Sequence, residues 1–312
     1  VTTTGVAVMA YGTPSGPDEV EAYYTDIRRG RAPSQEQLAD LVRRYEAIGG
    51  TSPLRARTEA QMASIAAHLD RRAPGRFDVL LGTKHSRPTL ESAVHSLAER
   101  GAASIVGLVL APHFSQLSIG EYESRVAAAA AEHGLSSATI HSWHDLPELI
   151  EALSARVRAG VEAVGASVEA AELMVLFTAH SLPARILAGG DPYPAELEGT
   201  ARLVAEAAGI ERWRTAWQSA GRTPEPWLGP DICELLPTLR SEGVEKVVIC
   251  PAGFTSDHLE VLYDLDIEAR WVAAESGLEL ARTASINDDD GVCAGLARLV
   301  AEEAARLVLA AE

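Results

Sequence analysis

The chain has 312 residues, 47% hydrophobic and 23% charged, with 27 Lys+Arg against 44 Asp+Glu for a net charge of −17. That length suits one large α/β domain or two of about 150 residues, and the composition excludes a disordered or fibrous chain. The negative charge opposes binding to nucleic acid or to anionic membranes. Cys233, Cys250 and Cys293 form no CxxC pair and read as reduced thiols of a cytoplasmic protein. No apolar run reaches the roughly 18 residues of a membrane span, and Val1 to Gly5 has no basic leader region, so neither membrane insertion nor secretion is expected.

Along the chain, short apolar runs alternate with amphipathic stretches. Val6–Ala10 reads as a strand, followed by helical Glu36–Ile48 and Thr58–Leu69; Phe77–Leu81 is the next strand, then the helix Leu90–Arg100. Ser104–Leu110 and Ala138–His141 continue the strands. Leu173–Thr178, helical Ala195–Ala208, the strands Arg214–Trp217 and Val244–Cys250, and a last helix Gly291–Leu309 complete the series. Strands of this length alternating with helices predict an α/β fold with parallel sheets covered on both faces. Ligands bind such sheets beyond the carboxyl ends of the strands, so chemistry is expected just after each run.

The pattern also repeats. Ala10-Tyr11-Gly12-Thr13-Pro14 follows the first strand, and Ala179-His180-Ser181-Leu182-Pro183 follows Leu173–Thr178. Later in each half a strand runs into proline, at Leu110-Ala111-Pro112-His113-Phe114 and Ile249-Cys250-Pro251-Ala252-Gly253-Phe254. Two similar Rossmann-like lobes are therefore predicted, residues 1–150 and 151–312, with the active-site cleft between them and the last helix packing back on the body. Nucleotide-binding, serine-hydrolase and zincin readings lose support: GxGxxG after a strand, GxxxxGK[ST], GxSxG and HExxH are all missing.

Four segments are candidates for chemistry. In Asp257–Glu268, a helix would put Glu260, Asp264 and Glu268 on one stripe, spaced about 6 Å apart. Like charges at that spacing repel, and oxygen-rich rows suit hard or borderline divalent metals; a solvated acidic face is the competing reading. His180 stands at a strand end, where an imidazole can exchange protons near neutral pH or bind a metal. His85, His113, His141 and His144 also lie near strand ends, and His141 with His144 resembles a metal pair by spacing alone. From Arg28 to Arg57, seven arginines face three acids, a net +4 in an acidic chain, and Tyr11, Tyr23, Tyr24 and Tyr45 cluster there. Guanidinium forks and phenol rings suit an aromatic polyanion with several carboxylates. Finally, Trp217–Asp231, with two Trp, two Gly and three Pro, is a shaped loop, a wall or lid.

Taken together, these segments resemble the ferrochelatases, enzymes that insert ferrous iron into a porphyrin. The resemblance is carried by Ala179-His180-Ser181-Leu182-Pro183, Trp217–Asp231, Gly253-Phe254 with Asp257-His258-Leu259-Glu260, Tyr11-Gly12-Thr13-Pro14, Tyr23-Tyr24 with Ile27–Arg31, and Arg44–Gly50 with Ser52-Pro53-Leu54. It runs in order through nearly the whole chain and is most similar to the soluble Gram-positive and actinobacterial branch that makes coproheme from coproporphyrin III. A separate decarboxylase, a possible transient partner, then converts coproheme to haem b. The resemblance implies His180 and Glu260 as the inner metal-side catalytic pair and Asp264 and Glu268 as an outer acidic relay. It also implies Tyr11 on the opposite face of the macrocycle, with Arg28, Arg44, Tyr45, Ser52 and Tyr122 holding propionates or the ring edge. Iron is then substrate rather than cofactor, no iron–sulfur cluster is expected because some relatives hold theirs on four cysteines, and a cytoplasmic monomer is expected because the apolar lip and C-terminal extension of membrane-bound relatives are not found. Protoporphyrin IX ferrochelatase, a cobalt chelatase of similar fold, or a tetrapyrrole or metal carrier without turnover are the alternatives.

Overall fold

A computed structural model describes residues 3–311, with side chains described to residue 309. The chain forms two compact units, the first comprising residues up to Ala111, Gln116–His141 and the chain from Asn287, the second Pro112–Ser115 and Ser142–Ile286. In the first, β1 (Thr3–Ala10) leads through α1 (Val20–Ile27), α2 (Gln35–Ala47) and α3 (Leu54–Arg72) to β2 (Phe77–Thr83). Then come α4 (Leu90–Glu99), β3 (Ala102–Val109), α5 (Ile119–Glu132) and β4 (Ser136–Ile140). The second unit holds α6 (Pro147–Ala163), β5 (Leu173–His180), α7 (Tyr193–Ala208), β6 (Trp213–Gln218), α8 (Ile232–Ser241) and β7 (Lys246–Cys250). It closes with α9 (Leu259–Leu262), a π-turn (Asp264–Ala269), α10 (Arg270–Glu275) and β8 (Glu279–Arg282), after which α11 (Asp290–Ala311) returns to the first unit.

Each unit has one four-stranded, all-parallel sheet, in the order β2-β1-β3-β4 and β6-β5-β7-β8. The two orders are the same, which is the structural counterpart of the repeat in the sequence. The strand order reverses beside β1 and beside β5, so each unit has its switch point where its first strand ends. Tyr11 follows the end of β1, and His180 is the last residue of β5. Both strands are apolar on both faces and almost wholly buried, as expected for parallel strands between helix layers.

The division differs from the expected 1–150 and 151–312. β4 completes the first sheet at Ile140, and α6 packs so tightly beneath the second sheet that a Cβ on Gly160 would lie 2.7 Å from Val248 Cγ1. The last helix belongs to the first unit: its buried face, Val292, Leu296, Ala297 and Val300, packs on α3, β3 and β4. Gln61 Nε2 donates to the Asn287 carbonyl at 2.8 Å and His68 meets Asp290 at 2.8 Å. No local pattern announces such a partnership, because α3 and α11 lie more than two hundred residues apart. No helix among the described residues is long and apolar enough to cross a membrane.

Two glycines shape the switch points. Gly12 has φ +92°, and a Cβ there would meet Ser86 Oγ at 2.4 Å. Gly253 lies where the loop after β7 crosses the end of β5, its N–H donating to the Thr178 carbonyl at 2.9 Å. A Cβ on it would lie 2.8 Å from Ala179 Cα and 2.4 Å from Ala179 Cβ, one residue before His180. Overpacking of this kind costs about 1–3 kcal/mol. Gly253→Ala is expected to lower the melting temperature, whereas Gly199→Ala in α7, whose nearest neighbour would be an ordinary 3.5 Å away, leaves it unchanged or higher; thermal unfolding of the two variants checks this.

Candidate active site

In the second unit, β5 delivers His180 and α9 delivers Glu260. His180 Nδ1 lies 3.0 Å from Glu260 Oε2. Since a carboxylate only accepts, Nδ1 carries the proton of this bond, and Nε2 is the nitrogen left to gain or lose one. About a third of each side chain stays exposed, 34% and 35%. The backbone on both sides is fixed. Tyr193 Oη donates to the His180 carbonyl at 3.0 Å. Gln218, the cross-strand neighbour of His180, receives the Thr178 hydroxyl at 2.8 Å and donates its own amide to the Glu260 carbonyl at 3.0 Å.

Burial works to lower the His180 pKa, but the charge and hydrogen bond of Glu260, with Asp264 behind, outweigh it and the net shift is upward. For Glu260 burial works upward, but the charge and hydrogen bond of His180, aided by His258, hold the carboxyl well below the usual range. His258 Nδ1 donates to the Ser256 carbonyl at 2.9 Å, which sets its Nε2 3.7 Å from Glu260 Oε2.

The acidic row departs from a regular helix. Between α9 and α10 the chain widens into the π-turn, where the Glu268 N–H donates to the Tyr263 carbonyl five residues back, at 3.0 Å. A spacing of four residues falls short of a full turn there, so the uniform 6 Å ladder expected from sequence does not form. Asp264 is 6% exposed and accepts from Ser219 Oγ, while Glu268 is half-buried. Wide turns of this kind are frequent at functional sites. Among the described residues, no group of three or more His, Cys, Asp or Glu could hold a metal ion together; His180 and Glu260 are a two-donor pair.

The Trp217–Asp231 stretch is pinned in place rather than hinged. The N–H groups of Leu228 and Ala184 bond the carbonyls of Leu182 and Pro226 at 2.9 and 2.8 Å, and Ser181 Oγ bonds the Leu228 carbonyl at 2.8 Å. It is a wall beside the residues that follow His180. His113 is 2% exposed and donates from Nε2 to Thr200 Oγ1 at 2.9 Å, since the Thr200 proton goes to the His144 carbonyl. Burial pushes its pKa down to about 3, so it is a neutral strut. His141 and His144 do not form a metal pair: His141 bonds Glu123 in the first unit, and His144 bonds Ser142 in the second.

In the first unit, Tyr11 is 42% exposed beyond β1. The sheet ladder continues past the strand ends, with the Lys84 and His85 N–H groups donating to the Ala10 and Tyr11 carbonyls at 2.9 Å each. This sets Lys84 Nζ 5.9 Å from the Tyr11 ring centre and 5.4 Å from that of Tyr122, with Glu121 Oε2 at 2.8 Å. The His85 ring lies 4.6 Å from that of Tyr11 and bonds Asp26 at 2.7 Å; burial lowers its pKa despite that carboxylate. Lys84 was not singled out from sequence, although it directly follows β2, where the strand-end rule directs attention.

The expected ring-edge residues separate into two groups. Arg28 is half-buried, 5.6 Å above the Tyr24 ring, with Nε bonded to the Arg31 carbonyl. Arg44 pairs with Asp40 at 3.3 Å. Tyr45 and Tyr122 are each only 4% exposed. The Tyr45 hydroxyl lies 3.4 Å from Thr13 Oγ1, so it braces the turn after Tyr11. Ser52 Oγ accepts from the Leu54 N–H at 3.2 Å at the start of α3. Tyr11 is thus presented to solvent and Arg28 partly so, while Tyr45 and Tyr122 lie beneath the surface.

A family model described as Ferrochelatase matches residues 3–304. The chain is 44% identical to a coproporphyrin III ferrochelatase of Geobacillus thermodenitrificans over 97% of each chain. It is also 44% identical to a ferrochelatase of Thermus thermophilus over 91% of this chain and 94% of that one. Among solved structures, SirB from Bacillus subtilis with Fe3+ superposes with TM-score 0.59 at 14% identity, over 96% of this chain and 95% of that one. At that identity the likeness speaks for the fold alone.

The coupling of His180 to Glu260 has a measurable sign. The imidazole should titrate above its ordinary 6.5, and Glu260→Gln should bring it down. The pair then stabilises the fold below the unfolded histidine pKa and loses that contribution as pH rises through the raised folded value. NMR titration of His180 in both proteins checks this, and a lower pKa in the wild type than in Glu260→Gln would contradict it.

Proposed function

The chain belongs to the ferrochelatase family of lyases, and on that premise we propose that it inserts ferrous iron into coproporphyrin III to give coproheme, releasing two protons. The observation that carries the reading is the His180–Glu260 pair at the end of β5 with Asp264 and Glu268 behind it. Metallation replaces two pyrrole N–H bonds with bonds to iron, so the site needs a base and a way to strip water from a dication. The neutral His180 accepts a pyrrole proton at Nε2, and the Glu260 carboxylate stabilises the imidazolium that forms. Being one-third exposed, His180 passes that proton to water and accepts the second. Asp264 and Glu268 offer the incoming ion oxygen ligands as it loses water.

Arg28, Arg44 and Lys84 are cations suited to substrate carboxylates. Ser52, half-buried at the start of α3, is a candidate contact to the ring edge, while Tyr45 and Tyr122 would shape the surface beneath. The naming of relatives such as that of Geobacillus thermodenitrificans supports coproporphyrin III, with four propionates, over protoporphyrin IX, with two. We further place the enzyme in the cytoplasm as a monomer without an iron–sulfur cluster, its product passing to a decarboxylase. For the cluster, the support is the cysteine count: some relatives hold theirs on four cysteines, and this chain has three, Cys233, Cys250 and Cys293, spread over α8, β7 and α11.

Purified protein should metallate coproporphyrin III over many turnovers with a higher kcat/KM than protoporphyrin IX. His180→Ala should lose about 10²–10⁴-fold in kcat with porphyrin binding retained. Equal or better kcat/KM for protoporphyrin IX would overturn the substrate assignment, and near-normal turnover by the variant would overturn the base.

Tyr11 occupies in the first repeat the place His180 occupies in the second. A phenol is a poor base near neutrality, its ordinary pKa being about 10, but phenolate is a hard oxygen ligand that favours ferric iron, and the Lys84 ammonium stands near its ring. Tyr11→Phe should retain Fe2+ insertion yet lose the phenolate-to-iron absorption band of oxidised product and release ferric coproheme faster. An unchanged ferric spectrum would assign Tyr11 a purely structural part.

A further inference from the structure

β8, the strand the sequence pattern does not announce, ends on Arg282. Its Nε and Nη2 donate to the two carboxylate oxygens of Asp266 at 2.8 Å each. Nη1 reaches Asp257 Oδ1 at 3.4 Å and the Thr283 carbonyl at 2.9 Å. Ser285 Oγ adds a 2.8 Å bond to the same Asp257 oxygen. The guanidinium is largely sheltered, its side chain 13% exposed. Asp257 stands three residues ahead of Glu260, and Asp266 lies within the π-turn between Asp264 and Glu268. One planar fork therefore fixes both the entry to α9 and the wide turn after it. A π-turn is a rare winding, and tethers from outside the segment hold it: Ser219 on Asp264, Arg282 on Asp266. Bidentate geometry is specific to guanidinium; an ammonium keeps the charge and loses the fork.

We propose that Arg282 is a positioning residue for metal delivery, setting the places of Asp264 and Glu268 by clamping Asp266 in the π-turn, while Glu260 is held independently by Gln218 and His180. Arg282 acts through Asp257 and Asp266, and this role rests on the reading of that acidic row as the path of the ferrous ion. Loss of an outer partner that orients a metal-binding group typically costs 10–100-fold in metal affinity.

The test is steady-state metallation with Fe2+ and coproporphyrin III varied separately, alongside thermal unfolding, for Arg282→Lys, Asp266→Asn, their combination and Glu268→Gln. Arg282→Lys should raise the KM for Fe2+ by about 10–100-fold, with kcat and the porphyrin KM close to wild type. Asp266→Asn should do the same, and the combination should be no worse than Arg282→Lys alone, since the two act as one unit. A lowered melting temperature with unchanged KM for Fe2+ would make the clamp merely structural and overturn the proposal. Glu268→Gln separates the two layers: if it leaves the KM for Fe2+ unchanged, the acidic row is not the metal path. If it raises that KM and neither clamp variant does, the row stands and the role of Arg282 falls. Should Arg282→Lys fail to fold, Asp266→Asn decides.

Discussion

An imidazole and a carboxylate held 3.0 Å apart with a third of each open to water is the condition around which the second unit is arranged. In a flexible loop such a pair would exchange readily for water, and its entropy of ordering would offset much of its attraction. Here the backbone of each partner is fixed before the side chains meet. His180 ends a strand buried on both faces, and Glu260 is tied through Gln218 to the strand beside it. The Thr178 hydroxyl orients the Gln218 amide, so a register between neighbouring strands becomes a distance between two ionisable groups. Each partner favours the other's charged form: Glu260 raises the His180 pKa, and His180 lowers that of Glu260.

Much of this was legible in the residues. Seven strands could be read from short apolar runs, and their carboxyl ends picked out Tyr11 and His180 because parallel sheets bind ligands there. β8 was not, being four residues long, at the sheet edge and half polar. The acidic residues of Asp257–Glu268 were legible as residues but not as geometry, since a winding change is set by tertiary tethers that no local period encodes. Lys84 escaped notice because a lone lysine carries no pattern; its place depends on the ladder running past β1 and β2. Tyr45 stood out by its company of arginines and Tyr122 only through the family resemblance, and both lie on the buried faces of amphipathic helices.

The two repeats share strand order and differ at their ends. After β1 comes a phenol beside a lysine; after β5 comes an imidazole beside a carboxylate. The architecture supplies two equivalent addresses, filled by different side-chain chemistry: a phenol and an ammonium in one, an imidazole and a carboxylate in the other. Gly12 and Gly253 do comparable work at these addresses, each allowing a neighbouring loop to pass where a methyl group would collide.

The return of α11 to the first unit alters how the polypeptide must be assembled. The first sheet is encoded in the opening 140 residues, but the helix that covers α3, β3 and β4 is synthesised after the whole of the second unit. The second unit is almost contiguous in sequence, whereas the first is completed only when α11 has been made. Until then an apolar flank of α3, β3 and β4 lacks its cover, the kind of transiently exposed surface that chaperones engage.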